Sequence, residues 1–480
     1  MIIAKVPPGY VRALVECPRD EDLKAAAHEL LAGRNPMRSM LSYAADWDKR
    51  PSDLTIDPTF GAIPIGHGAQ REGAENLQTF LRPEESDRFL VSGFVKVTGR
   101  DGVPEYVVKK EQKYLIHSNP LIGGLLNPCL PTCGTSQAVG NTQDARDKLD
   151  VNTLKRKGLD GSGVALAIVD SGIYKDRIER LLGEALNPPR PINLDANNSW
   201  KPAGLVTQPG EHRVGHGTMC AFDALIAAPN ATLLDFPMLL ARPVADHHST
   251  SMVDAAMLAY QELATIWASK SFDALVVSNS WGLFHPYLED FPPGHPNRFI
   301  DNPRHPFHNL VQALAAAGVD VIFCGNNCGD GRNCAGNCAS GTCLSKTSRM
   351  IMGANTYEEV LTIGGCDTND RMVGYSSRGP SIVGMYQHKP DLVAYTHFLG
   401  SKAVAMHVPD TGVSAACPVA AGCVAALRTR VKPTAVKPKD LFKTLKDTAH
   451  RPGGGPPVWK PDFGYGIIRP VEAGRVLGVI

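Results

Sequence analysis

The sequence lacks any run of about 18 or more apolar residues, so a membrane-spanning helix is not expected. It lacks an excess of either charge, with 49 basic residues against 48 acidic ones. Surfaces that hold nucleic acid or anionic lipid carry a basic excess, so no nucleic-acid partner and no membrane partner is expected. No segment repeats at a period of about 20–50 residues, which excludes solenoids and propellers. Met1–Pro8 has neither a basic n-region nor an apolar h-region. No signal peptide is visible, so a cytoplasmic location is expected; a leader removed ahead of Met1 would leave secretion open.

What is present is globular in composition. Of 480 residues, 43% are apolar and 20% charged, enough to bury a core without disulfide or metal staples. The length suits two or three domains, or one large domain with an extension.

Two textures divide the chain. In the first, the apolar spacing predicts a helix over Arg19–Ala32 that stops at Gly33. A hairpin is expected over Arg88–Leu115, with strands Phe89–Val97 and Tyr106–Lys109 and a turn at Asp101-Gly102. Residues 116–140 are rich in Pro, Gly, Asn, Ser and Cys and read as a linker or irregular arm. From about residue 145, short apolar strands alternate with helices. The strands are Val164–Val169, Ala231–Leu240, Ala274–Val277, Val319–Phe323 and Leu361–Gly364; the helices include Thr250–Lys270 and Phe307–Ala317. That alternation predicts an α/β fold whose parallel sheet is covered on both faces. Functional side chains belong at the carboxyl ends of such strands.

Four segments carry candidate chemistry. Asp170 follows the apolar strand Val164–Val169; it either partners a histidine or caps the next turn. His216, in Gly215-His216-Gly217-Thr218, has small neighbours that leave its ring approachable for proton transfer, although a lone histidine is more often structural. Ser414 follows Gly412-Val413 and opens an Ala-rich helical run. There it is either an N-cap or a nucleophile beside backbone N–H groups that favour an oxyanion. Pro418 is expected within the first turn, where N–H groups have no partner. Asn326 follows Gly325 at the end of Val321–Phe323, where its amide either donates to an oxyanion or closes an Asx turn.

Together, the order Asp170, His216, Asn326, Ser414 matches the Asp…His…Ser order of subtilisin. The chain resembles the subtilisin-like serine peptidases, or subtilases. Gly161–Ile173 resembles the family's Asp motif and Gly215–Thr218 its His motif. Val277–Gly282 resembles the segment that pairs with substrate backbone. Tyr375–Pro380, Lys389–Ala394 and Gly464-Tyr465-Gly466 resemble later family segments. The resemblance covers about residues 145–475.

It implies a subtilisin-like three-layer fold with a mostly parallel central sheet over 141–480, preceded by an α+β extension over 1–140. It implies a serine endopeptidase in which Ser414 attacks, His216 transfers the proton and Asp170 orients His216. Asn326 and the Ser414 N–H would hold the oxyanion. A polypeptide or peptide substrate would pair with the Ser278–Gly282 strand and contact Ser280, Trp281, Gly282, Phe323, Cys324 and Gly325. No cofactor is required by this chemistry. A structural calcium is compatible with the family, although no ligand run identifies its residues.

Three departures stand out. The family's Gly-Thr-Ser-Met-Ala is here Gly412-Val413-Ser414-Ala415-Ala416, and an expected Pro-Gly is Tyr395-Thr396. The loop after Asn326 is long and holds Cys328, Cys334, Cys338 and Cys343, with Cys324 close by. Without Cys-x2-Cys knuckles the cluster fits disulfides, free thiols or a metal. Cys220, one turn after His216, reads as a small buried apolar residue. Residues 1–140 fit either an autoinhibitory propeptide or a permanent accessory, partner-binding domain; their length favours the second. Two alternatives stand beside a general endopeptidase: a peptide-maturation protease with one dedicated substrate, and a catalytically silent scaffold.

Overall fold

The computed structural model describes residues 6–48, 53–66, 76–97, 102–109, 111–124, 137–185, 191–242, 250–283, 286–329 and 349–480. The strands are β1 (Tyr10–Pro18), β2 (Leu54–Ile56), β3 (Ile63–Pro64), β4 (Arg88–Lys96), β5 (Tyr106–Lys109), β6 (Gln112–Ser118), β7 (Leu121–Gly124), β8 (Val164–Val169), β9 (Thr232–Phe236), β10 (Thr250–Met252), β11 (Ala274–Asn279), β12 (Trp281–Gly282), β13 (Asp320–Cys324), β14 (Leu361–Cys366) and β15 (Leu392–Tyr395). The helices are α1 (Glu21–Leu31), α2 (Met37–Asp48), α3 (Thr142–Lys148), α4 (Val151–Arg156), α5 (Lys175–Ala185), α6 (His216–Ala224), α7 (Met238–Ala241), α8 (Val253–Ala268), α9 (Pro306–Ala317), α10 (Val413–Arg428), α11 (Pro438–Asp447) and α12 (Pro470–Val476).

The main domain is built on a six-stranded sheet in the order β15-β14-β13-β11-β8-β9, parallel throughout. Strand β8 shows why its sequence is apolar without alternation. Val164, Leu166 and Ile168 enter the core shared with α6 and α10, while Ala165, Ala167 and Val169 enter the core shared with α8 and α9. Successive residues face opposite sides of a sheet, and here both sides are covered. The expected three-layer α/β architecture follows from this arrangement.

The first third forms a second sheet, antiparallel, in the order β2-β4-β1-β6-β5 with β3 alongside β4. Helices α1 and α2 cover one face through Leu23, Ala26, Ala27, Met40 and Tyr43. Asp20 caps α1 by accepting the Asp22 N–H at 2.8 Å. From the other face Leu14 and Leu90 join the core of α8 and α9. The two sheets therefore share packed apolar surface through those helices.

Four sequence expectations are corrected. The β4 strand pairs with β1, from Tyr10↔Lys96 to Pro18↔Arg88, and β5 pairs instead with β6. The true hairpin turns at Glu111 in a left-handed conformation (φ 65°), a position where glycine or asparagine is the usual signal and glutamate gives none. Thr250–Met252 is a strand ahead of α8, held extended by its pairing with β7, more than 100 residues away in sequence. The Ala231–Leu240 run breaks at Pro237, leaving β9 and the short helix α7. Within the supposed irregular arm, β6 extends to Ser118 and β7 is a strand.

Candidate active site

Asp170 follows β8 directly and is fully buried. Its Oδ1 accepts the Ser171 N–H (2.7 Å), the Ser171 hydroxyl (3.1 Å) and His216 Nδ1–H (2.7 Å). His216 opens α6. This close approach of α6 to the β8 end depends on Gly217, where a Cβ would fall 2.3 Å from the Gly172 carbonyl oxygen. Ser414 lies in the first turn of α10, behind Gly412 at φ 77°. His216 Nε2 and Ser414 Oγ are both buried, and neither has a hydrogen-bond partner among the described residues.

Pro418 lies deeper in α10 than expected, at a position where its N–H would have bonded the Ser414 carbonyl. Two other donors serve that carbonyl. Ser280 Oγ donates at 3.0 Å and Cys220 Sγ at 3.4 Å. Burial, reinforced by the Asp170 charge, pushes the Cys220 thiol far up, so it remains a protonated donor.

Asn326 ends the β13 segment in a left-handed conformation (φ 73°). Its Nδ2 donates to the carbonyls of Met350 (2.8 Å) and Leu283 (3.2 Å), and its Oδ1 accepts the Asn327 N–H (2.8 Å). Asn327 Oδ1 accepts the Val413 N–H at 2.9 Å, fastening this loop to the start of α10.

Beside this cluster lies a three-stranded antiparallel sheet, β10-β7-β12. Gly123 is opposite Gly282 on one side and Thr250 on the other, and Gly124 is opposite Trp281. Ile122 is buried within the core shared with Met238 and Leu239. A Cβ placed on Gly124 would lie 3.1 Å from Leu239 Cδ1 and 3.4 Å from His216 Nδ1. A segment of the first third thus lies against the histidine.

The remaining expected contact residues divide by what they expose. Trp281 and Gly282 pair with β7 along the backbone. The Trp281 ring is buried, donates Nε1–H to Asn279 Oδ1 (3.1 Å) and packs against the buried Phe323 at 5.1 Å. Cys324 and Gly325 are buried, with the Gly325 N–H donated to Ile363 O at 2.8 Å. Asn355, which carried no sequence signal, bridges Trp281 O (3.1 Å) and Cys324 O (2.7 Å), locking β12 against β13. Leu239 and β7 also lacked a local motif.

Among the described residues, one group has the spacing to hold a metal, Asp170, His216 and Cys220, and it coincides with this cluster. Cys328 is buried, while Cys334, Cys338 and Cys343 lie outside the described residues. Among the described residues, no helix is long and apolar enough to cross a membrane.

Fold and site together define a three-layer α/β protein with an Asp–His pair at a strand end and a serine at a helix N-terminus. A sequence profile of the Subtilase family matches residues 161–466, more than half of the chain. The chain belongs to the subtilase family of serine peptidases. A search of curated proteins finds no match.

Proposed function

We propose that the chain is a serine endopeptidase whose first third occupies its own substrate groove. One observation carries this reading: β7 is the middle strand between β10 and β12, with Gly124 against His216. An extended chain between two strand edges is how β-augmentation holds a peptide.

In this reading Ser414 Oγ attacks the scissile carbonyl, and His216 Nε2 takes its proton and returns it to the leaving amine. Asp170, bonded to Nδ1–H, holds the tautomer and stabilises the imidazolium. The Ser414 N–H, in the first turn of α10 where no intrahelical acceptor exists, donates to the oxyanion. Asn326 Nδ2 joins it by turning from the Leu283 and Met350 carbonyls. No cofactor enters these steps.

Fluorophosphonate labelling of the full chain tests the reading. Ser414 should react slowly in the wild type and faster in Ile122→Asp, where a buried charge expels β7. Equal rates would show that β7 does not shield the groove. No label on Ser414 in either chain would dismiss the serine as nucleophile.

A further inference from the structure

We infer that a cleft between the first third and the main domain is a binding site for a small primary amine with an apolar body, and that Glu262 holds its ammonium group. The cleft is separate from the candidate active site: none of Asp170, His216 and Ser414 lines it.

Its volume is about 460 Å³, the size of a small-molecule pocket. Leu30, Arg34 and Phe60 line it from the first third, and Trp200, Lys201 and Arg242 from the main domain. A further wall is one stripe of α8, where Leu258, Gln261, Glu262 and Thr265 recur at three- and four-residue spacing. The Trp200 ring is set against Phe236, with centroids 6.2 Å apart. Leu30, Phe60, Trp200 and Leu258 thus offer apolar surface to the body of a ligand.

The charges in the cleft do not balance locally. Arg242 is spent on Asp57 and Asp254. Arg34 and Lys201 are exposed and keep their hydration. Glu262 is partly buried, and among the described residues neither a hydrogen-bond donor nor a cation reaches its carboxylate. Burial pushes this carboxyl up, with no cation to oppose the shift.

Gln261, beside it, repeats the pattern. Its Nε2 donates to the Phe80 carbonyl of the first third at 3.2 Å, while its buried Oε1 has no donor among the described residues. Two adjacent side chains of one wall therefore carry acceptors without donors. A primary ammonium brings one positive charge and three N–H donors, which is what these acceptors lack. A neutral alcohol would leave Glu262 without a counter-ion, and a carboxylate would meet its charge.

Calorimetric titration of the full chain with phenethylamine, 2-phenylethanol and 3-phenylpropionate tests this. The three share a ring and a spacer and differ in the terminal group. A hydrogen bond to a charged group is worth about 10–100-fold, so phenethylamine should bind that much more tightly than 2-phenylethanol, and 3-phenylpropionate should not bind. Glu262→Gln should lower the affinity for phenethylamine to that for 2-phenylethanol. This variant removes a desolvated charge and keeps the side chain's shape, so its urea midpoint should not fall. Saturating phenethylamine should raise the urea midpoint of the wild type more than that of Glu262→Gln. Equal affinity for amine and alcohol, tighter binding of the carboxylate, undiminished amine affinity in Glu262→Gln, or binding of none of the three overturns the inference. These readouts do not involve Ser414, so the peptidase reading stands or falls separately.

Discussion

The hydroxyl of Ser280 donates to the backbone carbonyl of Ser414 at 3.0 Å, standing in for the N–H that Pro418 lacks. The residue whose motif suggested substrate contact thus also completes the helix that carries the proposed nucleophile. Ser280→Ala should cost about 1 kcal/mol of stability, the ordinary net value of a hydrogen bond. Pro418→Ala supplies an intrahelical donor to the same carbonyl. The two changes should therefore couple, with the double variant losing less than Ser280→Ala alone. Urea unfolding of the four chains measures this; simple additivity would refute the substitution of one donor for the other.

Ser414→Ala should abolish peptide hydrolysis with a drop in kcat on the order of 10⁶, as found for the nucleophile of subtilisin itself. Its circular dichroism should remain that of the wild type. Turnover at the wild-type rate in a contaminant-free preparation would remove Ser414 from the mechanism.

Asn326→Ala separates chemistry from architecture. As an oxyanion donor, Asn326 should take roughly 10²–10³-fold of kcat with it, the cost measured for such a donor in subtilisin, and leave KM nearly unchanged. Steady-state kinetics decide. An unchanged kcat with a lower unfolding midpoint would restrict the residue to its bonds with Leu283 and Met350.

The first third is fastened to the main domain by a buried charge network. Arg242 pairs with Asp57 of the first third and with Asp254 at the start of α8, and Ser92 Oγ donates to Asp254 at 2.8 Å. Burial works to raise the Asp57 carboxyl, yet Arg242 and the Thr59 hydrogen bonds outweigh it and hold it below its usual range. A depressed carboxyl stabilises docking above the ordinary carboxylate pKa and loses that contribution as pH falls through and below it. Acid should therefore loosen the first third. Arg242→Met leaves two buried carboxylates unpaired, a penalty of about 3–5 kcal/mol, and should mimic acid at neutral pH. Limited proteolysis reads out both; cleavage in the first third at the wild-type rate in Arg242→Met would contradict the anchoring role.

The parallel sheet was legible because both of its faces are buried, so β8 reads as apolar at every position and β11 as apolar from Ala274 through Val277. The Asp170, His216 and Ser414 segments were legible because small residues crowd each one, and close approaches such as Gly217 to Gly172 dictate those neighbours. What could not be read was pairing at a distance. Nothing local in Thr250–Met252 or Leu121–Gly124 says that the two meet, and the β1–β4 ladder joins segments some 70 residues apart.

The last prediction concerns two carboxyls behind the histidine. Asp223, on α6, and Asp410, just before α10, are both buried. Asp410 accepts the Ser401 N–H (2.5 Å) and hydroxyl (2.6 Å), whereas neither oxygen of Asp223 receives a donor among the described residues. Burial and the neighbouring Asp410 push the Asp223 carboxyl well up, so it stays protonated and bonds Asp410. Burial, offset in part by the Ser401 and Asp223 hydrogen bonds, pushes Asp410 up to about 6. The pair titrates as a unit. Its members bind protons more tightly folded than unfolded, so their contribution is fully present below the unfolded carboxylate pKa and declines as pH rises through about 6. Asp223→Asn keeps a donor toward Asp410 and removes one ionisation. Between about pH 5 and pH 8 its urea midpoint should fall less than that of the wild type. A residual slope should remain from Asp235, which burial pushes up to about 7. Identical slopes in the two chains would show that the pair does not carry the proton, and Asp223→Ala, which deletes the donor, should then cost no more than Asp223→Asn.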